Sequence, residues 1–227
     1  MIILGIETTS ARGSVALVKD GAVIAEYTLA QSLRYSRHII PAIHKILTDT
    51  GYDLTYVDRI AAGIGPGSFT GIRVGMAIVK GLITQSAIKP VGVSSLLNIA
   101  FNSSASTATA CVYAQNDEFF MQKFVASEAG EYRTQNECSI VSVEKLFKEC
   151  EGGVLCSPDL ERLKVSNEQS EIMKHVYPTG STAALIAGSL SEEERCSKQF
   201  MPLYIRRGEA EFKGRKYLNY DTYCISI

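Results

Sequence analysis

The sequence predicts an α/β protein in which mixed β-sheets are covered by helices. Three short apolar segments precede the first predicted helix, and two further apolar segments each lead into another helix. The resulting order over the first hundred residues is βββαβαβα. Strands joined by hairpins lie antiparallel, whereas strands separated by helices usually lie parallel, so this order predicts a sheet that contains both kinds of pairing.

Turn signals define the first three strands. Residues 2–7 form an apolar run, and residues 14–19 alternate between the two faces as a strand does. Asp20-Gly21 is a strong hairpin signal, so residues 22–29 are predicted as the third strand. Residues 36–50 then show apolar side chains at helical spacing, which predicts an amphipathic helix.

The run GPGSFTGIRVG at residues 65–75 joins the fourth strand to an unusual helix over residues 72–83. Its glycines permit a tight turn, and Ser68 or Thr70 can cap the helix. Apolar side chains go most of the way round this helix, so nearly all of its surface must be buried. We expect one side to face the core and the other to face a second protein. The alternative is a central core helix that meets no partner.

A small polar linker near residues 101–107 predicts a boundary between two lobes. The segments that follow repeat the first order in a shorter, looser form. We therefore predict a first lobe over residues 1–103 and a second, degenerate lobe over 104–207, as in ribonuclease-H-like and actin-like proteins. Residues 208–227 are charged and rich in tyrosine, and are predicted to be a C-terminal tail.

Composition excludes few classes of protein. The net charge is −1, so nothing in the overall charge requires a nucleic-acid or membrane partner. Six cysteines without a CxxC pair predict reduced thiols in a cytoplasmic protein. The N-terminal residues lack the features of a signal peptide, and no apolar run approaches transmembrane length.

Candidate chemical groups are sparse. Glu7 ends the first strand beside the hydroxyl-rich residues Thr8, Thr9 and Ser10, which could be a vestigial nucleotide or phosphate site. The alternative is a strand-end carboxylate that accepts hydrogen bonds from the amides of the turn. One carboxylate is not an active site, and the glycine turn lacks the lysine of a phosphate loop. We therefore predict no catalytic residue.

No metal site is predicted either. His38 and His44 are six residues apart, which separates them by roughly 120° around a helix, whereas zinc ligands on a helix usually lie one turn apart. A basic patch near the C-terminus could touch RNA phosphates, or could be a solvated tail. Its residues are Arg206, Arg207, Lys213 and Arg215.

Together these segments resemble a known family. The residues that carry the resemblance are 3–9 with the hairpin that follows, the GPGSFTGIRVG run, 92–96 and 202–206. They are similar to the TsaB (YeaZ) family, strongly over residues 1–100 and weakly over 101–195. The resemblance implies the two-lobed actin-like (ASKHA) fold.

The resemblance also implies a function. TsaB-like proteins are non-catalytic subunits in the formation of N6-threonylcarbamoyladenosine in tRNAs that read codons starting with A. They pair with the larger paralogue TsaD, which carries the metal and performs the transfer, and the ATPase TsaE joins them. TsaC supplies the activated threonylcarbamoyl group. Family members also form homodimers, and ATP or ADP at the partner interface and weak or indirect tRNA contact are further expectations.

The implied interface lies on the first two predicted helices. The residues carried over to it are Ser36, His38, Ile40, His44, Gly71, Arg73, Gly75, Met76, Val79, Lys80 and Ile83.

The sequence departs from the family pattern at two positions. Glu7 stands where many members have aspartate, and Tyr113 stands where a second-lobe acid is common. Three alternatives stay open: an ATPase or kinase of the same fold that acts on a small molecule, a peptidase, and a homodimer with another partner.

Overall fold

The computed structural model describes residues 1–29, 35–128, 130–163, 167–191 and 200–205. Its first half contains a five-stranded mixed sheet with the strand order β3-β2-β1-β4-β5. The strands are β1 (Ile2–Glu7), β2 (Gly13–Lys19), β3 (Ala22–Leu29), β4 (Arg59–Gly65) and β5 (Lys89–Ser94). β1, β2 and β3 pair antiparallel, whereas β4 lies parallel to both β1 and β5. The predicted order of this half is confirmed.

Helices cover both faces of this sheet. The helices are α1 (Tyr35–Thr50), α2 (Phe69–Ile83) and α3 (Ser95–Ser103). Alternate residues of β1 point to opposite faces. Leu4 and Ile6 therefore pack in one core with Ile39 and Ile46 of α1, whereas Ile3 packs in the core on the other face.

The second half contains a six-stranded sheet in the order β11-β10-β6-β7-β8, in which β9 also pairs with β7. Its strands are β6 (Thr107–Gln115), β7 (Glu118–Ala126), β8 (Tyr132–Thr134), β9 (Ser139–Ser142), β10 (Val154–Ser157) and β11 (Met173–His175). Its helices are α4 (Val143–Glu149) and α5 (Asn167–Ser170).

Two segments of the second half return to the first sheet. Helix α6 (Gly180–Ser189) packs against β1, β2 and β4. Its start lies so close to β1 that any side chain at Gly5 would overlap the carbonyl of Gly180. Further along, the Leu203 amide donates to the Ile64 carbonyl at 2.8 Å. The lobe boundaries at residues 103 and 207 stay a prediction.

Helices long and apolar enough to cross a membrane are absent from the described part of the chain.

Candidate functional site

The glycine turn before α2 packs on the turn that follows β1. The Ser68 amide donates to the Thr9 carbonyl at 2.7 Å, and the Thr8 hydroxyl donates to the Gly71 carbonyl at 2.7 Å. A side chain at Gly67 would overlap the Thr9 carbonyl, and one at Gly71 would overlap the Thr8 carbonyl. The space that these glycines leave is therefore filled by protein backbone rather than by a phosphate.

Helix α2 begins at its predicted cap. The Ser68 hydroxyl accepts from the Gly71 amide at 3.1 Å, which satisfies one amide that the helix itself leaves without a partner. Farther along, any side chain at Gly75 would meet the Thr8 hydroxyl oxygen at 2.5 Å, whereas one at Gly81 would meet nothing within 4 Å. Contacts within the chain thus explain why residues 71 and 75 are glycines, but they do not explain why residue 81 is one.

Glu7 is fully buried at the end of β1. Its Oε1 accepts from the Thr9 amide at 2.6 Å, and its Oε2 has no hydrogen-bond partner among the described residues. The carboxyl group lies against Gly63 of β4, where any side chain would displace it. Burial raises the pKa of Glu7 from 4.5 to about 7, against the opposing effect of its hydrogen bonds to Thr9 and Thr8.

The hydroxyl groups beside Glu7 have partners within the chain. Thr9 Oγ1 lies 2.7 Å from Ser95 Oγ at the start of α3, and Ser10 Oγ donates to the Arg12 carbonyl at 3.0 Å. These contacts fit the structural alternative, in which Glu7 is a strand-end carboxyl group that accepts from an amide of the turn. A phosphate role for Glu7, Thr8, Thr9 and Ser10 stays a prediction.

The start of α6 is also occupied by protein groups. Helix N-termini attract anions because their first amides lack partners. Here the Glu26 carboxylate accepts from the Ser181 hydroxyl at 2.7 Å and from the Ser181 amide at 3.3 Å. Ser14 Oγ accepts from the Gly180 amide at 2.7 Å. A side chain from β3 thus stands where an external anion would otherwise bind.

Asp159 is a second-lobe acid that the sequence analysis missed. Its Oδ2 accepts from the Tyr113 amide at 2.9 Å, and the Arg162 guanidinium lies 4.3 Å from the centre of the Tyr113 ring. Partial burial raises the pKa of Asp159. Because Asp159 follows β10, a strand that pairs with β6, only the sheet pairing brings it to Tyr113.

Helix α2 has a buried face and a partly exposed face. Gly71, Gly75, Met76 and Val79 are buried within the chain, so a partner could reach them only if α2 left its lobe. Arg73 is exposed, and Lys80 and Ile83 are half-buried. The exposed face also presents Phe69, Ala77 and Gly81, which the sequence prediction did not include.

Helix α1 packs beside α2 and is also partly open to solvent. Ile40 is 55% exposed, His44 is exposed and His38 is half-buried. The side chain of Ser36 lies outside the described residues. These neighbouring helices thus both carry exposed residues, which we call together the α1–α2 surface: Ile40 and His44 of α1 with Ala77 and Gly81 of α2. That a partner contacts it stays a prediction.

The described C-terminal segment, residues 200–205, contacts the start of α2. The Arg73 guanidinium lies 3.7 Å from the centre of the Phe69 ring, and its Nε donates to the Tyr204 hydroxyl at 3.2 Å. The Phe69 and Tyr204 rings also contact each other, with centres 5.3 Å apart. The candidate RNA residues Arg206, Arg207, Lys213 and Arg215 come just after this segment and lie outside the described residues.

A groove of about 1330 Å³ lies at the end of the first sheet where β1 begins, whereas Glu7 lies where β1 ends. It is lined by residues where β4 and β5 begin, such as Arg59 and Lys89, and by Gly81 and Leu82 near the end of α2. Groups of three or more metal-ligating side chains are not found in the described ranges.

Comparison with known proteins places these features in a family. The model of a family described as TsaD, tRNA N6-adenosine threonylcarbamoyltransferase, matches residues 22–154, more than half of the chain. The TsaB protein of Escherichia coli (strain K12), named for tRNA threonylcarbamoyladenosine biosynthesis, is 32% identical over 148 residues. That match covers 63% of this chain and 64% of the relative.

Other relatives carry the same name. TsaB of Bacillus subtilis (strain 168) is 35% identical over 102 residues, which are 45% of this chain and 44% of the relative. TsaB of Haemophilus influenzae is 29% identical over 178 residues, covering 75% of this chain and 70% of the relative. The chain therefore spans less than two thirds of the Escherichia coli and Bacillus subtilis relatives.

Solved structures share the fold. YeaZ from Pseudomonas aeruginosa superposes with a TM-score of 0.71 at 22% identity, covering 82% of this chain and 90% of that structure. A structure described as similar to peptidase YEAZ from Pseudomonas aeruginosa gives a TM-score of 0.74 at 22% identity, covering 90% of this chain and 99% of that structure. The predicted α/β class, with mixed sheets covered by helices, is confirmed, and the chain shares the fold of these YeaZ structures.

Proposed function

Because the chain belongs to the TsaD family and is similar to TsaB proteins, we propose that it is a subunit of the machinery that forms N6-threonylcarbamoyladenosine in tRNA. The observation that carries this proposal is the agreement of several relatives, each named for that one process. The tRNA substrates are those that read codons starting with A. Such a role would place the protein in the cytoplasm.

Within that machinery, we propose that the chain is a scaffold rather than a catalyst. Three sites where this fold could hold a reactive or phosphate group are closed by the chain itself. Protein backbone fills the space at the glycine turn, and Glu26 occupies the start of α6. Glu7 is buried, and among the described residues no charged neighbour shifts its pKa. A catalytic acid or base needs access to its substrate.

The proposed partner is a TsaD-type transferase, which would bind the α1–α2 surface. Ile40 and Ala77 leave apolar surface open there, and Gly81 would let a partner backbone approach closely. The ATPase TsaE would join this pair, and the chain alone would form a homodimer through the same helices. A nucleotide, ATP or ADP, would bind at the partner interface rather than within this chain, and tRNA contact would be weak or indirect.

Size-exclusion chromatography with light scattering tests the pairing. The full chain is mixed with the TsaD-type protein of the same organism, and the masses of the separate and mixed samples are compared. We expect the mixture to give one species with the mass of a heterodimer. Two separate peaks at micromolar concentration would contradict the proposed partner.

A further inference from the structure

The surroundings of the buried Glu7 carboxyl group favour its neutral form over its ionised form. Its Oε1 has a donor in the Thr9 amide, but its Oε2 has none among the described residues and faces the backbone of Gly63. A neutral carboxylic acid tolerates such a site. An ionised carboxylate there would leave a charged oxygen both desolvated and without a donor, which is strongly unfavourable.

Among the described residues, the elements packed around Glu7 offer no charge to balance it. β4 presents Gly63, β2 presents Ser14 directly across from Glu7, and α3 presents Ser95 to the adjoining Thr9. None of these residues ionises. Among the described residues, burial and the hydrogen bonds of Thr8 and Thr9 alone set the titration of this carboxyl group. A pH-dependent change at this site is therefore caused by ionisation of Glu7 itself and not by ionisation of a neighbouring residue.

A short path of hydrogen bonds connects Glu7 to the start of α2. The Thr9 amide donates to Glu7, and the Thr9 carbonyl accepts from the Ser68 amide at 2.7 Å. Ser68 is also the residue that caps α2, through its bond to Gly71. The Thr8 hydroxyl adds a second tie at the Gly71 carbonyl. Any movement of the Thr8–Thr9 turn must therefore disturb the first turn of α2.

We propose that Glu7 is a proton-operated positioning residue for helix α2. With its proton, it holds the Thr8–Thr9 turn against the glycine turn. When it loses the proton, Oε2 requires donors, and water can supply them only if the carboxyl group moves away from Gly63. Because Glu7 directly precedes the Thr8–Thr9 turn, the turn must move with it. That movement withdraws the Thr9 carbonyl from Ser68 and loosens the start of α2.

The consequence for pairing rests on the proposed function, because α2 contributes half of the α1–α2 surface. A partner that binds this surface would bind more tightly at pH 6 than at pH 8. The loosening of α2 itself needs no partner, so it can be tested on the isolated chain, separately from the proposed function.

Hydrogen–deuterium exchange of the full chain at pH 6 and pH 8, corrected for the intrinsic effect of pH, tests the proposal. We expect the protection of residues 66–76 to fall on the order of tenfold between the two pH values, as the ionised fraction rises. Protection of the β7 peptide, residues 119–126, serves as the internal reference and should fall much less. Unchanged protection of residues 66–76 relative to β7 would overturn the proposal.

Three variants separate titration of Glu7 from other effects of pH. Glu7→Gln keeps the size of the side chain but cannot titrate, so its protection at residues 66–76 should be equal at both pH values. Glu144→Gln changes an exposed acid on α4 and should respond as the wild type does. The same pH response in Glu7→Gln as in the wild type would overturn the proposal.

Thr9→Val keeps the test valid even if Glu7→Gln does not fold. The Thr9 hydroxyl stabilises the carboxylate form of Glu7. Its removal should therefore move the midpoint of the loss of protection to higher pH, and an unmoved midpoint would overturn the proposal. If α2 responds to pH but association with the partner does not, the link between Glu7 and pairing is wrong.

Discussion

The Ser68 amide donates to the Thr9 carbonyl at 2.7 Å, and this bond joins the end of β1 to the helix that begins with the glycine turn. Contacts with Thr8 and Thr9 explain why residues 67, 71 and 75 are glycines. The glycine motif, which resembles a phosphate-binding loop, therefore allows two turns of this chain to pack closely against each other.

Two glycines of α2 should respond oppositely to alanine. Gly71→Ala places a methyl group on the Thr8 carbonyl, so we expect the free energy of unfolding to fall by about 2 kcal/mol or more, since the clash is with backbone. Gly81→Ala meets open space and should raise it by up to about 1 kcal/mol through helix propensity. Urea denaturation measures both. Equal effects of the two substitutions would contradict the packing described for Gly71.

The stability of the chain should depend on pH through Glu7. A carboxyl group whose pKa is raised in the folded state binds its proton more tightly there than in the unfolded chain. Its contribution to the free energy of unfolding is complete below about pH 4.5 and is lost as the pH rises through about 7. The loss amounts to about 3 kcal/mol. Thermal denaturation between pH 5 and pH 8 should show this loss, and Glu7→Gln should flatten it. A wild-type stability that rises over that range would contradict the assignment.

Charges placed on the α1–α2 surface should weaken pairing without unfolding the chain. Ile40→Glu and Ala77→Glu change exposed residues, so we expect at least tenfold weaker association with the transferase partner and a free energy of unfolding within about 0.5 kcal/mol of the wild type. Ile172→Glu, at an exposed position in the second half, is the matched control and should leave association unchanged.

Val79→Glu should behave differently, because Val79 is fully buried. An unpaired charge in the core should unfold the chain rather than only block pairing. Circular dichroism together with titration calorimetry distinguishes these outcomes. A folded Val79→Glu variant would show that the side chain of residue 79 does not lie in the core as described.

Glu26 should contribute to stability by accepting from the first turn of α6, whose N-cap is Thr179. Glu26→Ala removes the acceptor of the Ser181 amide and one partner of the Ser181 hydroxyl, so we expect the free energy of unfolding to fall by about 1–2 kcal/mol. Glu26→Gln keeps an acceptor oxygen and should recover part of that loss. Chemical denaturation of the three proteins at one pH checks this order, and equal stability of all three would contradict a stabilising role for Glu26.

Local patterns were sufficient to predict the first half of the fold. The Asp20-Gly21 hairpin signal and the apolar helix after the glycine turn each depend on a few neighbouring residues. The hairpin lies where it was predicted, and the helix begins at Phe69 rather than at the predicted residue 72. The cap at Ser68 was one of two candidates, and the contact with Gly71 decides between them.

Contacts between distant segments could not be predicted in this way. The packing of Gly71 on Thr8 joins residues 63 positions apart, and the return of α6 to the first sheet joins elements more than 150 positions apart. Asp159 reaches Tyr113 only through the pairing of β10 with β6. Periodicity reports which face of an element is buried but not which distant segment buries it.

Reconstitution of the modification reaction tests the central claim most directly. The TsaD-type, TsaE-type and TsaC-type proteins of the same organism are incubated with threonine, bicarbonate, ATP and unmodified tRNA, with and without this chain. N6-threonylcarbamoyladenosine is then quantified by mass spectrometry. We expect modification only when the chain is present, and its loss with Ile40→Glu but not with Ile172→Glu. Equal modification in the presence and absence of the chain would contradict its assignment as a required subunit.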